Sequence, residues 1–185
     1  MVSGDFGYSA EKYSAENDWW HGWFDGAAQP NPGRIGLGGT LRAPSGEQRD
    51  LSLLAGTGCN NEAELLALLA VLDQAIAAGA RRVRVYGDSD FAIRAGLACL
   101  VAESAAGAGP ESTGSFAITQ VPRLLSLIAR LAEMLRRFKA VELVWIPRHR
   151  NGDADRLSRQ ALGLPHKPAP VPGKKSSGKR SRCRR

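Results

Sequence analysis

With 185 residues the chain has room for one domain with a real core, and its net charge of +7 reflects 25 Lys and Arg against 18 Asp and Glu. No apolar run is long enough to span a bilayer, and the N-terminus lacks the basic-then-apolar order of a secretory signal. Cys59, Cys99 and Cys183 are odd in number and have no metal-ligand spacing, so free thiols, a reducing compartment and a cytoplasmic location are expected. The positive charge is local. From Leu164 onward there are eight Lys or Arg and no acid, while residues 1–163 sum to −1. A basic tail of this kind attracts polyanions with little sequence preference, and it also suits a plain solubilising extension.

Residues 1–18 are polar and aperiodic, which predicts a loose N-terminal arm. The aromatic run Trp19 to Asp25 predicts the first strand, and Pro30-Asn31-Pro32-Gly33 a turn. Gly36 to Arg42 and Gln48 to Ala55 follow as strands two and three, joined through Pro44-Ser45-Gly46. Leu65, Leu68, Leu69, Leu72 and Ile76 then recur with helical spacing over Asn61 to Ala78, and Gly79 closes that helix. Val83 and Val85 alternate with arginines over Arg82 to Gly87, a fourth strand. A helix over Asp90 to Val101, a loop over 103–115 and an amphipathic helix over Pro122 to Phe138 come next. Val141 to Ile146 predicts the fifth strand and Asp153 to Leu162 the last helix. Beyond Pro165 the Pro, Lys, Ser and Gly content predicts disorder. The folded body is thus 19–163 and the tail 164–185, in an α/β order βββ-α-β-α-α-β-α. It forms a mixed five-stranded sheet whose first strand pairs with the fourth, with helices packed on it.

Four acidic segments fall where one element meets the next: Phe24-Asp25-Gly26, Asn60-Asn61-Glu62-Ala63-Glu64-Leu65, Tyr86-Gly87-Asp88-Ser89 and Asn151-Gly152-Asp153-Ala154-Asp155. Carboxylates at element ends, drawn from distant parts of a chain, suit a hard oxygen-seeking cation. Two such cations can hold the attacking and leaving oxygens of a phosphodiester, which points to a magnesium-dependent nuclease. Asp25 and Asp88 are expected at the C-terminal ends of neighbouring parallel strands, about 5 Å apart. Glu64 and Asp155 are expected in first helical turns, where the helix N-terminus favours the ionised form. Three of the four acids also have a local alternative. Asn61 with Glu64 has the form of a capping box, Asp88 could cap the helix after it, and Asp155 could be a solvated first-turn acid.

Taken in order, Asp25-Gly26, Asn31-Pro32-Gly33, Asn60-Asn61 with Ala63-Glu64-Leu65, Asp88-Ser89, and Asn151 with Ala154-Asp155 and Leu157 resemble type 1 ribonuclease H. The resemblance runs from Trp19 to about Leu162. It implies the ribonuclease H fold and endonucleolytic cleavage of the RNA strand of RNA–DNA hybrids. By motif it implies Asp25, Glu64, Asp88 and Asp155 as catalytic, metal-binding carboxylates, choosing Glu64 over Glu62 and Asp155 over Asp153. Two Mg²⁺ ions, with Mn²⁺ as a substitute, would be bridged by Asp25, with Glu64 and Asp88 on one and Asp155 on the other, giving 5′-phosphate and 3′-hydroxyl ends. Asn31, Asn60 and Asn61 inherit substrate contact, their amides being suited to RNA 2′-hydroxyls. His149 stands six residues before Asp155, in a shorter loop than many family members have. It suits proton transfer or product release, and equally a solvated loop position. The segment Glu103 to Ser115 lacks the basic, tryptophan-containing protrusion of some members. The expected protein is a monomer that meets the hybrid through this site and other nucleic acid contacts through its tail. A non-catalytic hybrid- or duplex-RNA-binding module of the same fold is the alternative.

Overall fold

The computed structural model describes residues 18–105 and 122–165. Five strands run β1 (Trp19–Gln29), β2 (Gly33–Arg42), β3 (Gln48–Gly58), β4 (Arg82–Gly87) and β5 (Ala140–Trp145). Four α-helices are α1 (Asn60–Ala77), α2 (Asp90–Ala105), α3 (Pro122–Leu135) and α4 (Gly152–Ala161). A short 3-10 turn covers Arg148–Arg150. The sheet order is β3-β2-β1-β4-β5. Neighbours β1–β2 and β2–β3 are antiparallel, while β1–β4 and β4–β5 are parallel. The predicted mixed sheet and element order are both present. Of the predicted arm over 1–18 all but Asp18, most of the 103–115 loop, and all but the first two residues of the 164–185 tail lie outside the described residues, although α2 continues helical to Ala105.

Strand alternation sorts side chains onto two unlike faces. Phe24, Val83 and Val85 are fully buried beneath α1, whose Leu65, Leu68 and Leu72 are also fully buried. Each such side chain contributes about 1.5–3 kcal/mol on leaving water. Helices α1, α2 and α3 share this face, and α4 packs alone on the other, against β2, β1 and β3. Two glycines permit the close approaches. A Cβ on Gly26 would fall 2.1–2.4 Å from the Ala63–Glu64 backbone, and one on Gly38 would meet the Ala154 carbonyl at 2.2 Å. The helix α1 is therefore drawn onto β1 and α4 onto β2 by missing side chains.

Strand β1 runs four residues past its expected end at Asp25. Its ladder with β4 stops at Trp23↔Tyr86, but its ladder with β2 continues to Gln29↔Arg34. Gly26, Ala27 and Ala28 have little strand preference of their own, and the pairing overrides it. Asp25 consequently lies inside β1 yet just beyond the parallel ladder, two residues past Trp23 as Asp88 is two past Tyr86.

Candidate active site

The register fixes the first pair. Asp25 and Asp88 follow the last β1–β4 partners by the same two residues, so both reach the C-terminal edge of the parallel strands, where open α/β sheets place their ligands. Asp25 is 4% exposed, on the α4 face, and accepts a hydrogen bond from the buried Ser158 hydroxyl of α4. Asp88 accepts from Asn151 Nδ2 at 2.6 Å through Oδ1. The helix after it is capped by Ser89, whose Oγ receives the Ala92 N–H at 3.3 Å, which leaves the Asp88 carboxylate to the site.

The second pair comes from helices. Glu64 Oε2 accepts the Gly26 N–H at 3.2 Å, so α1 delivers this acid to the residue next to Asp25. Glu64 is not the capping acid. The N-cap is Cys59, and Glu62 takes the N3 position, receiving the Cys59 N–H at 2.7 Å. This corrects the sequence reading on two points: Glu64 lies in the second turn, and the capping role belongs to its neighbour. Asp155 does lie in the first turn of α4, and Arg148 donates to its Oδ1 at 2.6 Å.

Electrostatics joins the four into one group. Burial, then repulsion from Asp88 and Asp155, pushes Asp25 up to about 6 despite the Ser158 hydrogen bond. Burial, then Asp25 and Asp88, pushes Glu64 up to about 9, against the stabilising Gly26 N–H and Arg148. The ionised form expected for Glu64 from a helix N-terminus is therefore not the favoured one without a cation. Among the described residues, no three His, Cys, Asp or Glu side chains stand as a ready metal-binding group. Each carboxylate instead has its own internal partner: Ser158, the Gly26 amide, Asn151 and Arg148 in turn. The donor set still fits a hard divalent cation, because it offers oxygens only and Asp25 is buried, and Glu64 partly buried, with too little positive charge nearby.

The asparagines divide. Asn31 Oδ1 accepts the Asn60 N–H at 3.1 Å, and Asn60 Oδ1 accepts the Ala28 N–H at 3.0 Å. They brace the β1–β2 turn against the start of α1, with Asn60 one helical turn before Glu64. These bonds use the carbonyl oxygens and not the amide NH₂ groups. Asn61 is exposed beside them, and His149 is exposed in the 3-10 turn.

Three contributors carried no assigned role in the sequence reading: Asn151, Ser158 and Arg148. Asn151 occupies the N-cap position of α4 without capping it. It is 1% exposed, and its Nδ2 donates inward to both the Phe24 carbonyl, at 2.8 Å, and Asp88. An Asn before a helix reads as a cap; only burial reveals the other use. A cleft of about 200 Å³ lies beside Asn151 on the α4 face, lined also by Trp23, Arg42, Arg150 and Asp153, but none of the four carboxylates lines it.

The sequence profile of RNase H matches residues 21–163. The chain belongs to the RNase H family. Its RNase H relatives are of type 1. Ribonuclease HI of Halobacterium salinarum is 32% identical over 146 residues, 77% of this chain and 63% of its own length. The bifunctional protein Rv2228c of Mycobacterium tuberculosis is 30% identical over 140 residues, and the chain spans 34% of that protein. The crystal structure of the Halobacterium RNase H1 aligns with a TM-score of 0.60 at 30% identity, covering 78% of this chain and 98% of that one. LC11-RNase H1 in complex with an RNA/DNA hybrid aligns at 0.57 and 25% identity, over 78% and 96%.

Proposed function

We propose that the protein is an endoribonuclease that cleaves the RNA strand of RNA–DNA hybrids. The observation that carries this is the convergence of Asp25, Glu64, Asp88 and Asp155 on one sheet edge: Asp25 and Asp88 end neighbouring parallel strands, Glu64 is bonded to the Gly26 amide, and Asp155 stands in the first turn of α4. The family membership and the hybrid-bound LC11-RNase H1 support the substrate.

Asp25, Glu64, Asp88 and Asp155 would hold divalent cations, Mg²⁺ or Mn²⁺. Two such ions, when bound, supply an activated water and stabilise the departing 3′-oxygen, giving 5′-phosphate and 3′-hydroxyl ends. The chain's own residues prepare that edge. Ser158 and Asn151 orient Asp25 and Asp88 from buried positions. Glu64, pushed up to about 9, retains its proton at neutral pH until positive charge displaces it. Arg148 neutralises Asp155 and must yield it for ligation. Asn60 and Asn61, about one turn of α1 before Glu64, with Asn31 bonded to Asn60 from the β1–β2 turn, would meet the 2′-hydroxyls of the strand being cut. His149, exposed beside Arg148, would exchange protons with solvent at the leaving group.

The test is cleavage of end-labelled RNA–DNA hybrid beside double-stranded RNA, with and without Mg²⁺. Metal-dependent cuts confined to the RNA of the hybrid, with 3′-hydroxyl ends, are expected. Tight hybrid binding with no cleavage in any divalent ion would instead make the chain a binding module.

A further inference from the structure

Three of the four tryptophans are accounted for by the fold. Trp20 packs against the core. Trp19 lies under the guanidiniums of Arg82 and Arg84, at 4.7 and 5.3 Å. Trp23 stacks on Tyr86 and His21 and carries Arg42 at 5.4 Å. Trp145 differs. It is 52% exposed, and among the described residues no ring or guanidinium lies over its face.

The ring is nevertheless pinned. Its Nε1 donates to the backbone carbonyl of Asp88 at 3.2 Å. Its register partner on β4 is Gly87, the residue before Asp88, and the Ile146 N–H holds the Gly87 carbonyl at 2.9 Å. Asp88 is thus gripped at both ends, its carboxylate by Asn151 and its carbonyl by Trp145. An uncovered indole, fixed at the rim of the carboxylate edge, offers a large apolar surface at small ordering cost to whatever lies across that edge.

We propose that Trp145 is a substrate-contacting residue, its open face packing on the sugar of a nucleotide next to the scissile phosphate. The inference rests on the hybrid-cleaving function proposed above. A duplex stacks its bases on one another, so sugars at the groove edge are the apolar surfaces left for a side chain. The indole carries no charge, so its contribution does not depend on counterion release and persists in salt.

The experiment uses the full chain with Asp25→Asn to stop turnover, Mg²⁺, and a fluorescently labelled RNA–DNA hybrid. Adding Trp145→Ala should raise Kd about tenfold, by a similar factor at low and high salt. Trp145→Phe, which keeps an aromatic face, should lose less. Hybrid should change the intrinsic tryptophan emission of the parent, and that change should vanish in Trp145→Phe. If the unsubstituted chain fails to cleave hybrid with Mg²⁺, the function proposed above falls and this inference with it. If the parent binds but Trp145→Ala binds equally, the Trp145 contact alone is overturned. Should Trp145→Ala fail to fold, an emission change that persists in Trp145→Phe overturns it as well.

Discussion

The two faces of the sheet do different work. The face under α1, α2 and α3 is dry: Phe24, Val83, Val85 and Leu65, Leu68 and Leu72 of α1 are fully buried, and few polar groups interrupt them. The face under α4 is polar, with one ten-residue helix, an aromatic layer of His21, Trp23 and Tyr86, and arginines lying over it. The carboxylates straddle the edge between them. Glu64 comes over from the dry side, and Asp25 and Asp155 belong to the polar side. Packing on the dry face fixes where the acids stand. Hydrogen bonds on the polar face fix how they point, and these can be exchanged for a cation at smaller cost.

The largest effect should come from neutralising the edge while sparing both faces. Asp25→Asn or Asp88→Asn should lower Mg²⁺-dependent hybrid cleavage by about 10³-fold or more, since an amide does not hold the cation comparably. Circular dichroism should show the fold intact. Near-normal turnover in either variant would remove the metal assignment.

Neighbouring acids on α1 separate position from stability. Glu64→Gln should abolish most activity and leave the helix start untouched. Glu62→Gln should keep most activity but weaken the Cys59 cap, costing about 1 kcal/mol in thermal unfolding. On α4, Asp155→Asn should likewise cost far more activity than Asp153→Asn. Equal losses within either pair would place the active carboxylates one helical step away.

The pH dependence follows from burial on the edge. Asp25 and Glu64 have folded pKa values raised to about 6 and about 9, so the folded state binds more protons than the unfolded one above the ordinary carboxylate range. Their favourable contribution is complete below about pH 4, and is lost as pH rises through 6 for Asp25 and 9 for Glu64. Metal-free melting temperature should therefore fall from pH 5 to pH 9, and Glu64→Gln should flatten the decline. Saturating Mg²⁺ should release protons at pH 7, read as a buffer-dependent enthalpy in calorimetry. A flat metal-free profile in the parent would mean that the edge is better solvated than the geometry indicates.

The sequence disclosed the dry face better than the polar one. Strand β4 is predicted to the residue because Val83 and Val85 alternate cleanly with arginines. The four acidic segments could be picked out as candidates because acids at element ends form an order visible along the chain, and the motifs chose Glu64 and Asp155 within them. The start of α1 was not legible, because Cys59 is a weak capping signal and Asn61 a strong one, yet Glu62 closes the capping box on Cys59 three residues back. Asn151 and Ser158 were invisible as site residues for a related reason. Their roles depend on which atoms the fold brings near: Phe24 and Asp25 are 127 and 133 residues distant from Asn151 and Ser158. No local pattern encodes that.

The smallest expected effect tests whether charge outside both faces matters. Residues 1–163 sum to −1, so the folded body itself offers a polyanion little net attraction. Lys174, Lys175, Lys179, Arg180, Arg182, Arg184 and Arg185 are the concentrated positive charge of the chain. Truncation after Pro165 removes them and spares the bonds from Arg159 to the Pro165 carbonyl. The tail supplies no carboxylate, so kcat should change little. KM for hybrid should rise several-fold at low ionic strength, and the difference should fade as salt screens phosphate contacts. The truncated protein should therefore show a shallower salt slope, measured by steady-state kinetics across a salt series. An unchanged KM at every salt concentration would reduce the tail to a solvated extension and leave substrate capture to the edge alone.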